Sequence, residues 1–336
     1  MSELNNTNYE TDNDNIYNNL TEDVALFIHT KKVSAIKSLI EALKEIFTNV
    51  NIKFTPKAAK PLESDPTKFR ITGGLSITAL NSNQNILVKL QLDADKFCHY
   101  KCIPESPKNC IMLGVNMSNL FKLIKNLGND DELFIMHNRT NQNQISLQYL
   151  NKTKSLTTTY YLNLLDLNED NLVIAKQKFD FVITMPSNDF HTLIKNMSGL
   201  ADKVDIKFSN VGSSYTLSFS CQGEFASQET VFYGSPNLET STENKLINVE
   251  KNETDSEDEN KEDNIIQGVY ELKALSLFSR CSSLCPTIQL YIHNNSPLVI
   301  KYKVADMGSV HLILSPSNID EINNDSDNES NDDEED

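Results

Sequence analysis

Lysines recur at helical spacing on the polar sides of four amphipathic stretches, and together they form the chain's most coherent chemical signal. Lys37 and Lys44 lie opposite the stripe of Val33, Ile36, Leu39, Ile40, Leu43 and Phe47; Lys122 and Lys125 lie opposite Leu120, Leu123, Ile124 and Leu127. Lys195, with His191 beside it, lies opposite Phe190, Leu193, Ile194 and Met197; Lys273 and Arg280 lie opposite Leu272, Leu275 and Phe278. Acids are few on these faces, Glu41 being the main exception, although the whole chain holds 47 Asp and Glu against 30 Lys and Arg. Cations lining a helix surface without a base-reading pattern suit phosphate tracking that ignores base sequence. Any single amphipathic helix has a solvated charged face, so the weight of the signal rests on all four agreeing.

Bond-making chemistry has no comparable support. The sequence contains no phosphate-cradling glycine loop, no metalloprotease helix motif and no nucleophile elbow, and only 10 glycines in all. His29, His99, His137, His191, His293 and His311 are scattered singly. Cys98 and Cys102, like Cys281 and Cys285, lack the two-residue spacing of a zinc knuckle, and no His follows at a metal-finger distance. The cysteines therefore read as buried or free thiols, and neither enzymatic activity, a metal nor a cofactor is expected. With no signal peptide or transmembrane run in its sequence, the chain reads as an intracellular, reduced protein.

The formal net charge of -17 argues against a nucleic-acid partner until it is divided by segment. Residues 1–24 carry -6, residues 250–263 carry -6 and residues 320–336 carry -10, which leaves +5 for the remainder. The part able to bury a core is mildly basic, and the acid sits in segments too polar to fold. Ser256, Ser326 and Ser330 lie among acids, where acidophilic kinases act.

The helices that must carry the cations are expected over residues 33–47, from about 118 with Ser118 as N-cap, from about 187, and over 271–281. Between them lie short apolar-alternating runs at 86–92, 133–136, 144–150, 179–185, 204–208, 215–220, 287–293 and 298–304, which read as strands. The pattern is α+β and repetitive: four helix-plus-strands units, two per domain, with helices gathered on one face of antiparallel sheets. Domains are expected at 25–165 and 179–319, joined by a polar linker at 166–178, with an acidic disordered insertion at about 236–264. Three prolines are expected to keep residues 55–68 out of regular structure.

Three blocks carry a family resemblance. Leu298 to Val304 and Gly308 to Leu314 read as a closing hairpin around the turn Val304-Ala-Asp306-Met-Gly308, flanked by Pro297 and Pro316. Leu113-Gly-Val-Asn116 precedes a Lys-bearing helix and Gly128-Asn-Asp130, and Asp166-Leu-Asn precedes Met185-Pro186-Ser187. In this order they resemble the DNA sliding clamps of the proliferating cell nuclear antigen family, from about Val33 to Ile319. The resemblance implies a homotrimeric, pseudo-sixfold ring with helices lining a channel around duplex DNA. Lys37, Lys44, Lys122, Lys125, Lys195, Lys273 and Arg280 match channel cations by position, with His191 beside them; Ser38 and Thr192 stand where many relatives have a cation. It matches the uncharged run containing Leu156, Thr158 and Tyr160 to one subunit edge, and Thr230 and Phe232 to the partner edge. Leu80, Leu87, Leu172, Ile174, Phe179, Pro297 and Pro316 match a pocket for short peptides with a one-turn helix and two aromatics, through which relatives recruit polymerase, clamp loader, ligase and nuclease. Gln84, Asn85 and Val173 depart from the family around that pocket, and Asn210 replaces a lysine that relatives modify. The implied role is a non-enzymatic processivity factor in the nucleus, or in a cytoplasmic viral replication compartment. A checkpoint-type hetero-oligomeric clamp subunit and a monomeric processivity factor or scaffold remain as alternatives.

Overall fold

A computed structural model describes residues 23–61, 69–105, 109–168, 172, 179, 181–211, 214–234, 248–251, 264–294 and 296–317. Ile174, Val173, the acidic residues 1–22, 236–247, 252–263 and 320–336, and with them Ser256, Ser326 and Ser330, lie outside the described residues. The chain separates into two compact units; residues 45–47 and 78–90 belong with the second unit and otherwise the division falls after residue 169.

The first unit begins with β1 (Val24–Thr30), α1 (Val33–Ile46), β2 (Asn49–Pro61) and β3 (Phe69–Leu80); β4 (Ile86–Asp93) follows, its residues 86–90 belonging with the second unit. It continues with β5 (His99–Cys102), β6 (Ile111–Asn116), α2 (Met117–Ile124), β7 (Glu132–Asn138), β8 (Gln144–Asn151) and β9 (Leu156–Asn163). Its five-stranded sheet has the order β5-β1-β7-β8-β9, and β3, β2 and β6 lie side by side in that order in a second run. Every residue of β1 is buried, as fits a strand flanked on both sides and covered on both faces. The stripe expected of α1 is buried, with Val33, Ile36, Leu39, Ile40 and Leu43 at its centre and Ile46 and Phe47 closing it.

The second unit repeats the same syntax with β10 (Phe181–Pro186), α3 (Ser187–Met197), β11 (Lys203–Val211), β12 (Ser214–Gln222) and β13 (Ser227–Gly234). There follow β14 (Asn248–Lys251), β15 (Asn264–Glu271), α4 (Leu272–Ser279), a 3-10 turn (Arg280–Leu284), β16 (Thr287–Ile292), β17 (Leu298–Val304) and β18 (Gly308–Leu314). Its sheets run β13-β12-β11-β15 and β14-β10-β16-β17-β18-β4. The four helix-plus-strands repeats expected from the sequence are present, and each lends its leading strand to its neighbour: β1 lies beside β7 and β6 beside β2, just as β10 lies beside β16 and β15 beside β11. No repeat can therefore close its core alone, which makes the pair of repeats the folding unit.

Several expectations need correction. Residues 55–61 are not a proline-disordered loop but the outer half of β2, paired with β3 from Ala58↔Thr72 to Pro61↔Phe69. The register shifts between Thr55 and Ala58, so Pro56 occupies a bulge, and β6 reaches β2 only from Asn49 to Phe54, so no ladder donor is asked of either proline. Opposite the bulge, Gly73 (φ +101°) and Gly74 (φ +126°) let the backbones close; a Cβ on Gly74 would lie 2.0 Å from the Leu92 carbonyl oxygen. Within the expected disordered insertion, Asn248–Lys251 forms β14, which pairs with β10 as β5 pairs with β1. The N-cap of α2 is Asn116, whose side chain accepts from the Asn119 N–H at 2.9 Å, not Ser118. The fourth helix stops at Ser279 and continues to Leu284 as a 3-10 turn, and Val24, expected in the leading acidic segment, starts β1.

One buried polar cluster ties β1 to β7. His29 Nε2 lies 2.9 Å from Glu132 Oε2, and Lys152 Nζ and Lys31 Nζ lie 2.6 and 3.6 Å from Glu132 Oε1. The His29 ring stacks on Phe134 at 4.3 Å. Burial pushes the His29 pKa down. Burial pushes Glu132 up, but the Lys152 hydrogen bond and the charges of Lys152, Lys31 and His29 outweigh it and hold the carboxyl below its ordinary value.

Candidate nucleic-acid interface

The helices pack as two pairs, and the packing sorts their cations into free and engaged. In the first unit Lys37 Nζ donates to the Leu127 carbonyl oxygen at 3.0 Å, beyond the last turn of α2, and Lys44 Nζ sits 4.7 Å from the centre of the Phe121 ring. Both are half-buried and bind α1 to α2. Lys122 and Lys125 are exposed, with no ion pair or hydrogen bond from their side chains among the described residues. In the second unit Lys195 on α3 and Lys273 on α4 are exposed and equally free among the described residues. His191 Nδ1 is 3.1 Å from the Ser279 carbonyl oxygen and so fastens α3 to α4. Arg280, just past α4, is half-exposed and its Nη1 lies 2.7 Å from Glu45 Oε2. The sequence reading did not single out Glu45, because the cation that engages it, Arg280, stands 235 residues away in the chain.

Four lysines thus remain available to a polyanion, and four other cationic positions have structural partners. Screened surface lysines of this kind bind phosphates loosely and in a salt-dependent way. They offer no hydrogen-bonding arrangement for reading bases.

Among the described residues the uncharged strand β9 is an edge of its sheet, paired with β8 alone, and β13 is an edge of its own, paired with β12 alone. Leu156 on β9 is 49% exposed, while Thr158 and Tyr160 are half-buried, and the Tyr160 hydroxyl is 2.9 Å from that of Tyr149. On β13, Thr230 and Phe232 are half-buried, Phe232 standing edge-on to Phe219. The aromatic residues most open to solvent on these edges, Tyr161 at 68% and Tyr233 at 76%, lie within the runs expected to form the edges but were not singled out from the sequence. The strand order gives these two edges a meaning. In the repeat, β9 holds the position of β18 and β13 holds the position of β4; β18 and β4 are neighbours, whereas β9 and β13 have no second partner among the described residues.

A third surface lies on the outer face of the second unit. The register Tyr291↔Val299↔Ile313 puts three apolar side chains in one row across β16, β17 and β18, and Phe179 packs edge-on against Tyr291 at 5.5 Å between ring centres. Pro297 precedes β17 and Pro316 follows β18, at the same end of that hairpin by the register Leu298↔Leu314. Leu80 and Leu87 flank the turn between β3 and β4, which is closed by the Asn81 N–H to the Ile86 carbonyl at 2.9 Å and by the Asn81 side chain accepting from the Asn85 and Ile86 amides. Leu172 is half-buried. Tyr291, Val299 and Ile313 were absent from the sequence reading, although the alternation of β16 with buried Ile288, Leu290 and Ile292 carries the signal for Tyr291.

All six cysteines are free, and burial pushes the Cys281 thiol up to about 12 and Cys102 up to about 11, so both stay protonated and act as small core residues.

Comparison with known proteins covers both units. Residues 26–172 match the family described as proliferating cell nuclear antigen, N-terminal domain, and residues 173–317 match its C-terminal domain. The chain is 28% identical over 295 residues to a protein of Paramecium bursaria Chlorella virus 1 called probable DNA polymerase sliding clamp 1, across 88% of this chain and 98% of that relative. It is also 28% identical over 318 residues to the probable DNA polymerase sliding clamp of Acanthamoeba polyphaga mimivirus, across 88% of this chain and 62% of the relative.

Proposed function

The chain belongs to the proliferating cell nuclear antigen family, and from that membership we propose that it is a sliding clamp: a non-catalytic processivity factor that encircles duplex DNA and holds a DNA polymerase to it. The observation that carries the ring is the pair of open edges. Within the chain β18 pairs with β4, and the equivalent positions β9 and β13, each with 8 residues, have no second partner among the described residues. Setting β9 of one copy against β13 of the next repeats an existing junction between unlike edges, which is a heterologous contact that closes when the rotation allows. The uncharged edge of β9 is an aggregation hazard that such pairing would cover.

Three copies, each with two helix pairs, form a pseudo-sixfold ring in which Lys122, Lys125, Lys195 and Lys273 face the DNA. Retention is then topological, and the loose cationic contacts permit sliding because every phosphate is equivalent to them. Opening and loading fall to a separate ATP-driven loader. Polymerase, loader, ligase and nuclease proteins dock by short peptides on the apolar face formed by Leu80, Leu87, Phe179, Tyr291, Ile313, Pro297 and Pro316, with their anchors in a groove. Work at replicating DNA puts the protein in the nucleus, or in a viral replication compartment as its viral relatives would favour.

The test is light scattering across a concentration series, followed by retention on circular and linear DNA. A mass near three times 37.9 kDa, with retention on nicked circles and rapid loss after linearisation, is the expected result. A monomer at every concentration would refute the homotrimer and favour a hetero-oligomeric clamp subunit or a monomeric factor.

A further inference from the structure

A line of basic side chains runs beside the apolar row on the outer face of the second unit. Directly opposed residues of antiparallel strands share a face, so the registers Gln289↔Lys301 and Lys301↔His311 put these three side chains in one line across β16, β17 and β18. The His311 imidazole hydrogen-bonds to the backbone of Lys89 on β4, the strand next to β18. Lys89 alternates with buried Val88 and Leu90, so it faces outward, and it is exposed. Tyr291, Val299, Ile313 and Leu87 each stand two residues along their strands from a member of this line, a step of roughly 7 Å.

Nothing within these strands balances the charge. The outward positions of β16, β17 and β18 carry no Asp or Glu, and along β4 the first outward acid after Lys89 is Asp93. Neither Lys89 nor Lys301 forms an ion pair among the described residues. Burial and the charges of Lys301 and Lys89 push the His311 pKa down to about 4, so at neutral pH two lysine charges flank a neutral imidazole. Mutual repulsion of this kind contributes nothing to folding, whereas it attracts an incoming anion.

We propose that Lys89 and Lys301, set one pleat repeat from the apolar row, make this surface selective for partner peptides that carry Asp or Glu next to their apolar anchors. The proposal rests on the docking role assigned above to the apolar face. An extended segment advances about 3.3 Å per residue, so acids some two to four residues from the last anchor reach the lysines. Two exposed charge pairs change affinity by about three- to tenfold, an effect that shrinks with added salt.

The experiment is fluorescence anisotropy on the full chain with a synthetic labelled peptide bearing two aromatic anchors on one helical turn, followed by an acidic, a basic or a neutral Gly-Ser run. The acidic peptide is expected to bind about tenfold tighter than the basic one at low salt. In the Lys89→Glu, Lys301→Glu variant the order should reverse while the neutral peptide binds as before. Equal affinity for the three peptides, or a preference that survives in the variant, would overturn the charge selectivity while leaving the apolar docking face intact. Failure of every peptide to bind, the neutral one included, would instead overturn the docking reading, and this inference with it. Both lysines lie outside the core, and unchanged thermal unfolding of the variant verifies that only the surface has been altered.

Discussion

Removing the four free helix lysines together should flatten the salt dependence of DNA association by a calculable amount. Lys122, Lys125, Lys195 and Lys273 are exposed and unpartnered among the described residues, so each can release about one counterion on meeting a phosphate. With a slope contribution of about -0.9 per contact, four contacts give about -3.6, which corresponds to a roughly 150-fold loss of affinity between 50 and 200 mM salt. The variant with all four changed to Ala should lose that component when binding to a short labelled linear duplex is followed by anisotropy. Stability should hardly move, because no side-chain hydrogen bond or ion pair among the described residues is broken. Glu45→Gln is the opposite perturbation. Its carboxylate holds Arg280 at 2.7 Å, and releasing that half-exposed guanidinium adds up to about 0.9 to the slope, or about 3.5-fold over the same salt range. The surface pair itself contributes at most about 1 kcal/mol to folding. An unchanged slope in the fourfold variant would refute the assignment of these helix faces to DNA, whatever the oligomeric state.

Three further outcomes follow from particular contacts. Leu156→Asp on β9 and Tyr233→Asp on β13 alter side chains already exposed in one copy, so each should leave the chain folded yet weaken the proposed contact between copies by about 2 kcal/mol, some thirtyfold, seen as a fall in mass by light scattering. Glu132→Gln should cost about 3 kcal/mol near neutral pH, discounted for the exposed Lys31, and lower the melting temperature by roughly 6–12 °C. Because the folded carboxyl lies below its unfolded value, that contribution is complete above the unfolded pKa and is lost as pH falls through the folded one, so the difference between parent and variant should narrow in acid. His29, whose folded pKa is also lowered, adds its own loss of stability as pH drops below about 6.5 in both proteins. Gly74→Ala should destabilise by more than about 2 kcal/mol in a denaturant titration, since it must hold φ near +126° with its Cβ against the Leu92 carbonyl; a neutral result would show that the β2 bulge relaxes.

What sequence alone determined was whatever repeats at short range. The 3.6-residue stripe of α1 and the two-residue alternation of β16, β17 and β18 follow from burying one face of a local element, so the four helices, most strands, the fourfold repeat and the lysines of the polar faces were legible. The segmental charge count was legible too, because it is read from composition alone. Tertiary structure decided what depends on residues distant in the chain. Pro56 and Pro61 read locally as breakers, yet β3 accommodates them because a bulge and a one-sided ladder ask for no donor there. Asn248–Lys251 reads as part of an acidic loop, and only the open side of β10 makes it a strand. Equal-looking cations on four helices were sorted by their neighbours, Lys37 by a carbonyl of residue 127 and Arg280 by Glu45, leaving four lysines free among the described residues. Tyr291, Val299 and Ile313 form one row, and Lys301 and His311 another, solely because antiparallel registers align residues that local spacing keeps apart. Pairing registers are fixed by backbone hydrogen bonds between distant strands, and no periodicity within one strand encodes them.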